Sequence, residues 1–486
     1  MITHLTATHF QRWFSRTEGK MWRLLKTRRV SMLKLWLIMV ALMATVFVLF
    51  TIRSEIGHHP SIDQKNIHQT SSLGRAIIGR LAESMQMSGQ NDENDINNYG
   101  VQDGNFIWSS PVRPWFMTNG TLRPDSRNPI YSKLKLWPDG SNDSFSDRIV
   151  NQLMFIPHNY DPNILSELGR MKKILLNFDP SGWGGPPLPA GRTVFLQDQC
   201  PVNTCELTFN QRDSLIADAV LFKDFFRNTR KRKLRNQVWI LYLLECPLHT
   251  SPFVGITSAI NWTATYRHDS DIVAPYEKFV PFSHPIKTEK PKINYAEGKS
   301  KKVAWFVSNC VANNNRLEYA KQLRKYIQVD IYGRCGDKEC PRADTNQCFD
   351  MLRKDYKFYL AFENSNCFDY ITEKFFTNGL STQVLPIVMG AQKSDYERSA
   401  PPNSFIHVDD FKSPKELANY LKTLDANDSL YNKYFEWKGT GEFINTRFWC
   451  RLCAQLHAPR NVKSYQHLNS WWNSESTCKL SGGWNS

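Results

Sequence analysis

The sequence predicts an α/β protein made of two parallel sheets that face each other across a cleft. Three observations lead there. Short uncharged runs rich in Val, Ile and Leu recur between residues 174 and 388, the pattern of strands buried on both faces. In the second half these runs alternate with helical periodicity, which calls for crossover connections and therefore parallel pairing. Between the two sets, residues 285–300 (PIKTEKPKINYAEGKS) are charged and aperiodic, as an interdomain linker would be.

The chain opens with residues 1–34, in which Arg12, Arg16, Lys20, Arg23, Lys26, Arg28 and Arg29 are opposed only by Glu18. Residues 35–52 (LWLIMVALMATVFVLFTI) are an uncharged apolar run between Lys34 and Arg53. At a helical rise of about 1.5 Å per residue this run reaches about 27 Å, enough for the thinner bilayers of the early secretory pathway. A cleaved signal peptide is the competing reading, but the run is longer than an h-region, starts late and lacks a small-residue cleavage pair. The expectation is an uncleaved signal-anchor in a single-pass type II protein, its basic tail cytosolic and everything after Arg53 luminal. Asn119, Asn142, Asn261 and Asn427 head glycosylation sequons, which suit a luminal body. The 11 Cys residues suggest disulfides with at least one thiol left over. Cys450-Arg-Leu-Cys453 has no second pair at zinc-ribbon spacing, so it reads as a structural bridge in the C-terminal tail.

Residues 53–145 are poor in apolar periodicity and rich in Asn, Asp, Ser and Gln, which predicts a stem, flexible at least to Tyr99. Trp108, Trp115 and Trp137 suggest that its later part packs on the body. Residues 146–300 form the first domain, with strands at 174–178 (ILLNF), 219–222 and 238–244 (VWILYLL), the last ending at Glu245. Residues 301–440 form the second. A strand at 303–307 leads to a helix at 316–327 with Leu317, Ala320, Leu323 and Ile327 on one face. Further strands follow at 329–332, closed by Gly333, and at 384–388, ending in Met389-Gly390. Ser413-Pro-Lys-Glu416 is a capping box with Pro at the first helical position, so a helix begins there. Residues 441–486 complete the chain as a Cys-containing tail.

Residues 358–380 read FYLAFENSNCFDYITEKFFTNGL. A buried strand runs into a short polar loop, and Tyr370, Glu373 and Lys374 crowd the first turn of an aromatic-faced helix. Open α/β sheets bind ligands outside the carboxyl ends of their strands. A carboxylate there can accept from both hydroxyls of a ribose, while a Lys and the helix N–H groups neutralise a diphosphate. The stretch closely resembles the α1,3-fucosyltransferases, the inverting GDP-fucose-dependent family (glycosyltransferase family 10). Residues 261–276, 301–333 and 405–421 resemble the same family in the same order, so the similarity runs from about Leu175 to the C-terminus. It implies the GT-B fold, two Rossmann-like domains facing a cleft. It also implies GDP-fucose as donor and no obligatory cofactor, with Mn2+ or Mg2+ as stimulants at most.

Moving fucose from GDP-fucose with inversion calls for one general base on the acceptor side and for compensation of charge as GDP departs. Glu245, at a strand end in LLECPLHT, matches the position of the family's proposed catalytic Glu and is the candidate base. The resemblance assigns Arg316 and Lys374 to the diphosphate, Glu373 to the ribose hydroxyls and Tyr370 to the nucleotide or diphosphate. Ser308, Asn309, Glu363 and Asn364 are further loop candidates on the donor side. Asp269-Ser-Asp271 has the DxD form of metal-dependent transferases but precedes Ile-Val-Ala-Pro instead of following a hydrophobic strand. A structural role is expected for it, with no metal required.

The net charge of +15 does not point to nucleic acid, because about half of the excess precedes residue 35. Lys223, Arg227, Arg230, Lys231, Arg232, Lys233 and Arg235 read as a solvated loop at the acceptor rim. Residues 222–226 (FKDFF) lack the His-His-Trp element of enzymes that build Lewis-type antennae. Residues 437–457 resemble the invertebrate and plant enzymes that fucosylate the innermost GlcNAc of N-glycans. An N-glycoprotein acceptor and attachment to the Golgi membrane through residues 35–52 are therefore expected. Antennal N-acetyllactosamine or LacdiNAc is the alternative acceptor, and a catalytically dead glycan-binding protein the remaining reading.

Overall fold

A computed structural model describes residues 99–138, 147–183, 186–226, 234–284, 293–341, 344–459 and 463–479. The expected cytosolic tail and membrane span, the stem up to residue 98, the Asn142 sequon and residues 227–233 of the basic loop lie outside these residues. Among the described residues no helix is long and apolar enough to cross a membrane.

β1 (Tyr99–Gln102) and β2 (Asn105–Trp108) form an antiparallel hairpin. β3 (Lys172–Leu176), β4 (Cys205–Thr208), β5 (Ala219–Lys223), β6 (Val238–Leu243) and β7 (Trp262–Thr265) make the first sheet. All its pairings are parallel, in the order β4-β3-β5-β6-β7. β8 (Lys278–Pro281) leaves this lobe. β9 (Lys301–Phe306), β10 (Val329–Tyr332) and β11 (Tyr356–Phe362) belong to the second sheet, β12 (Asn366–Cys367) stands apart, and β13 (Leu385–Met389) and β14 (Ile406–His407) complete it. Its order is β10-β9-β11-β13-β14, again parallel throughout. The two lobes thus share one winding, with a reversal of strand order between β3 and β5 and between β9 and β11. Such a reversal opens a crevice at the carboxyl ends of the strands.

β6 and β11 are buried at every position, as central strands covered on both faces must be. Lys357 in β11 is tolerated because its ammonium reaches the Asp425 carbonyl at 2.8 Å and the Asp425 carboxylate at 3.2 Å. The helix Pro414–Asp425 begins at the expected cap, with Ser413 Oγ accepting the Glu416 N–H at 3.3 Å. The Glu416 carboxylate reaches back one residue further than a capping box requires, to the Lys412 N–H at 3.0 Å.

Two boundaries differ from the sequence expectation. The first lobe starts at Tyr99, not at residue 146. Trp115 donates to the Leu153 carbonyl at 3.2 Å, the rings of Trp137 and Trp262 lie 5.0 Å apart, and the Phe106 N–H reaches Asn151 Oδ1 at 2.8 Å. A few aromatics bury this segment although its overall composition is polar. The C-terminal segment is likewise part of the first lobe. β15 (Gly441–Ile444) pairs antiparallel with β8, and the helix Phe448–His457 buries Trp449, Leu452 and Leu456 in the first lobe's core. Cys450 and Cys453 each bridge into that lobe, to Cys200 and Cys205, and not within the tail. Cys310–Cys335, Cys340–Cys348 and Cys367–Cys478 are also bridged, the last joining β12 to β16 (Cys478–Lys479), while Cys246 is a buried free thiol.

Candidate active site between the two sheets

The carboxyl ends of β6 and β11 meet at Glu245. Leu244 and Glu245 form the turn after β6, held by the Tyr276 hydroxyl donating to the Leu244 carbonyl at 3.0 Å. Glu245 Oε1 accepts from the Tyr370 hydroxyl at 2.6 Å, from the Cys246 N–H at 3.0 Å and from Asn364 Nδ2 at 3.5 Å. None of the hydrogen bonds described among these residues goes to Oε2. Burial pushes the carboxyl's pKa up, but the three hydrogen bonds and nearby His249 outweigh it, leaving the value below the usual glutamate range. Glu245 is therefore ionised at neutral pH with one oxygen anchored.

Tyr370 and Asn364 belong to the loop between β11 and the π-helical segment Lys374–Gly379. At the head of that loop Glu363 is completely buried. Its Oε1 accepts the N–H and the hydroxyl of Thr372, each at 2.8 Å, and its Oε2 lies 3.0 Å from Lys374 Nζ. Lys374 also contacts Thr372 Oγ1 at 2.8 Å and the exposed Glu373 at 3.1 Å. Burial alone would lower the Lys374 pKa, but Glu363 and Glu373 more than reverse it and the ammonium stays charged. For Glu363 burial wins over the pull of Lys374 and its pKa is raised. Glu363, Asn364, Tyr370, Glu373 and Lys374 are thus brought together around one loop that touches Glu245.

Arg316 lies differently from a free phosphate fork. It is 4% exposed. Its Nη1 donates to the Phe362 carbonyl at 2.7 Å and its Nη2 to the Asn309 carbonyl at 3.2 Å. The guanidinium therefore ties the carboxyl end of β11 to the loop after β9. Ser308 and Asn309 are exposed on that loop, which the Cys310–Cys335 bridge fastens to the turn after β10.

Several contributing residues escape sequence reasoning. Thr372 supplies three of the contacts that organise Glu363 and Lys374. Asp369 accepts the His268 N–H at 3.0 Å and an Arg398 N–H at 2.6 Å, joining the two lobes. Asp369 has φ 57°, a left-handed turn for which Asp is among the few suitable residues. A short acidic or Asn residue in a loop was the only available signal.

Asp269 and Asp271 serve the fold. Asp269 pairs with Arg267 at 2.7 Å and accepts from Trp471 at 3.0 Å. Buried Asp271 accepts the Thr263 N–H and the Tyr465 hydroxyl, each at 2.9 Å, and pairs with Lys463 at 2.6 Å. Asn261 sits beside them, its Oδ1 accepting the Trp239 N–H and its Nδ2 donating to the Lys463 carbonyl, both at 2.9 Å. The nitrogen a glycan would occupy is therefore engaged inside the fold. Asn119 and Asn427 are exposed.

The family described as "Glycosyltransferase family 10 (fucosyltransferase) C-term" matches residues 296–471, and "Fucosyltransferase, N-terminal" matches residues 170–277. Glycoprotein 3-alpha-L-fucosyltransferase A of Drosophila melanogaster is 52% identical over 379 residues, 75% of this chain and 74% of that protein. Alpha-(1,3)-fucosyltransferase fut-1 of Caenorhabditis elegans is 34% identical over 58% of this chain and 67% of that protein. A crystal structure of alpha1,3-fucosyltransferase with GDP-fucose is 15% identical, covers 61% of this chain and 92% of that one, and gives a TM-score of 0.40. Two family matches in series and a relative that is 52% identical over about three quarters of both chains lead to one conclusion: this chain belongs to the fucosyltransferases of glycosyltransferase family 10.

Proposed function

We propose that the chain transfers L-fucose from GDP-β-L-fucose, with inversion and in α1,3 linkage, to the innermost GlcNAc of N-glycans on glycoproteins. The observation that carries this reading is the Glu245 carboxylate, its Oε1 held by Tyr370, Cys246 and Asn364, beside the loop that leads to Lys374. Glu245 Oε2 takes the proton from the acceptor hydroxyl as that oxygen attacks the anomeric carbon. The bond from that carbon to GDP breaks, and Lys374 compensates the charge that grows on the diphosphate. Glu373, exposed at the start of its helix, accepts from the ribose hydroxyls. Arg316 acts from behind, keeping the ends of β9 and β11 at fixed spacing, and Ser308 and Asn309 line the approach.

The identical winding of the two sheets supports the GT-B arrangement, with the first lobe on the acceptor side and the second on the donor side. A core acceptor is supported by the likeness to an enzyme named for glycoproteins and by the absence of a His-His-Trp element after β5. The apolar run at residues 35–52 and its basic flank support a type II anchor in the Golgi membrane.

The test is incubation of the purified chain with GDP-fucose and either a core N-glycopeptide or an N-acetyllactosamine or LacdiNAc glycan, followed by linkage analysis. Fucose on O3 of the asparagine-linked GlcNAc is expected. Transfer to the antennal acceptor alone would overturn the core assignment.

A further inference from the structure

We infer that Tyr370 is a positioning residue for the base: a phenol from the donor lobe that seats the Glu245 carboxylate of the acceptor lobe. The inference rests on the transfer reading above and goes beyond it, because the resemblance places Tyr370 against the nucleotide or diphosphate. Tyr370 is 2% exposed and its hydroxyl lies 2.6 Å from Glu245 Oε1, the shortest of that oxygen's three hydrogen bonds. A buried phenol requires an acceptor, and an O–H to carboxylate bond of this length is at the strong end of the range. The ring is packed against Tyr266 of the acceptor lobe with centroids 5.1 Å apart, so the direction of the hydroxyl is set by lobe packing.

A phenol has one proton to donate. Given to Glu245, it is unavailable to a phosphate, so the two assignments predict opposite behaviour. Burial and the neighbouring Glu363 and Glu245 raise the Tyr370 pKa, which keeps it a donor throughout the working pH range. The other titratable or charged groups around the pair are Cys246 and His249 on Glu245's own turn, Tyr266 and Tyr276 from the same lobe, and Glu363 and Arg316 from the donor lobe. Of these, His249 is the one whose charge helps to lower the Glu245 pKa. Removing the phenolic O–H therefore leaves desolvation less opposed, and the carboxyl becomes harder to ionise. Asn364, the second cross-lobe donor, sits on the same loop as Lys374. Base seating and order in the donor loop are thus one event.

The experiment is Tyr370→Phe in the full chain, which retains the ring. Three quantities are read: the Glu245 titration by NMR with 13C-labelled glutamate, assigned through Glu245→Gln; the pH dependence of kcat; and GDP affinity by calorimetry. The Glu245 titration should move to higher pH, with the acid limb of kcat moving the same way. Turnover should fall about ten- to a hundred-fold while GDP affinity is retained. Combining Tyr370→Phe with Glu245→Gln should add no further loss. An unmoved Glu245 titration together with weakened GDP binding would return Tyr370 to the donor site and overturn the inference. Asn364→Ala covers the case in which the first variant does not fold, and should shift the titration in the same direction by less; no shift there counts equally against the inference. Because the NMR titration needs no turnover, failure of the unmodified chain to transfer fucose would sink the transfer reading separately.

Discussion

Lys374 and Glu363 lie 3.0 Å apart, the acid fully buried and the base still 22% exposed at the crevice. One end of the pair belongs to the core, and the other is shared with Thr372 and the exposed Glu373. Lys374→Ala leaves a carboxylate buried without its counter-charge, a change that costs about 3–5 kcal/mol of stability. It should also raise the GDP-fucose concentration needed for half-maximal rate. Glu363→Gln keeps a partner for Thr372 and should be milder on melting temperature, yet still raise the donor KM because the Lys374 ammonium loses its anchor. A folded Lys374→Ala variant with unchanged donor KM would remove this lysine from the donor site.

Glu245→Gln keeps the shape and the hydrogen bond to Cys246 but removes the basic oxygen. Turnover should fall about a hundred- to ten-thousand-fold, about 3–5 kcal/mol of barrier, while GDP binding survives. Steady-state kinetics and calorimetry on one preparation separate the two. Near-normal turnover would exclude Glu245 as the base.

The contact of His268 with Asp369 makes the docking of the lobes depend on pH. Burial alone would lower the His268 pKa, but the Asp369 carboxylate outweighs it and the folded value lies above that of free imidazole. The contribution of His268 is complete below the ordinary histidine pKa and is lost as pH rises through the raised folded value. Asp369 runs the other way: His268 and Arg398 outweigh its desolvation and hold its pKa below the usual aspartate value, so its share is lost only as pH falls through that lowered value. Melting temperature should decline on the alkaline side of His268's titration, and His268→Asn should flatten the decline. An identical slope in the variant would show that this pair does not contribute to the pH dependence.

The bridges Cys200–Cys450 and Cys205–Cys453 close interleaved loops with separations of 250 and 248 residues. While either one remains, the long loop stays closed, so losing the other opens only a small inner ring, about 2–3 kcal/mol on the chain-entropy account. Losing both opens the long loop as well and should cost about 7–8 kcal/mol in total. Denaturant unfolding of the Cys200→Ser/Cys450→Ser variant, its Cys205/Cys453 counterpart and the fourfold variant should show this excess over additivity. Strict additivity would contradict it.

What the sequence shows and what it hides divide along physical lines. β6, β11 and β13 are plain because a central parallel strand must be apolar throughout, and Ser413-Pro-Lys-Glu416 because a cap is a local device. β7 (WTAT) is hidden: its buried threonines are acceptable only because Asp271 and Ser270, folded back onto the strand, bond their hydroxyls. β4 and β14 are too short to carry a period. At the site, Glu245, Glu373 and Lys374 stand out by type and position. The link from Tyr370 to Glu245 spans 125 positions and exists only through the packing of one lobe on the other. The burial of Arg316 is equally illegible, since nothing local says that its guanidinium will reach the carbonyls of Phe362 and Asn309.

β8 carries the chain out of the first lobe and β15 brings it back, and the two strands are zipped together, with Phe279 opposite Phe443 and Val280 opposite Glu442. Both crossings therefore share a single doubled ribbon. The Cys367–Cys478 bridge fastens the lobes a second time, close to Tyr370, by tying β12 to the segment that has returned to the first lobe. Two separate ties, one a strand pair and one covalent, leave Tyr370 little freedom to stray from Glu245.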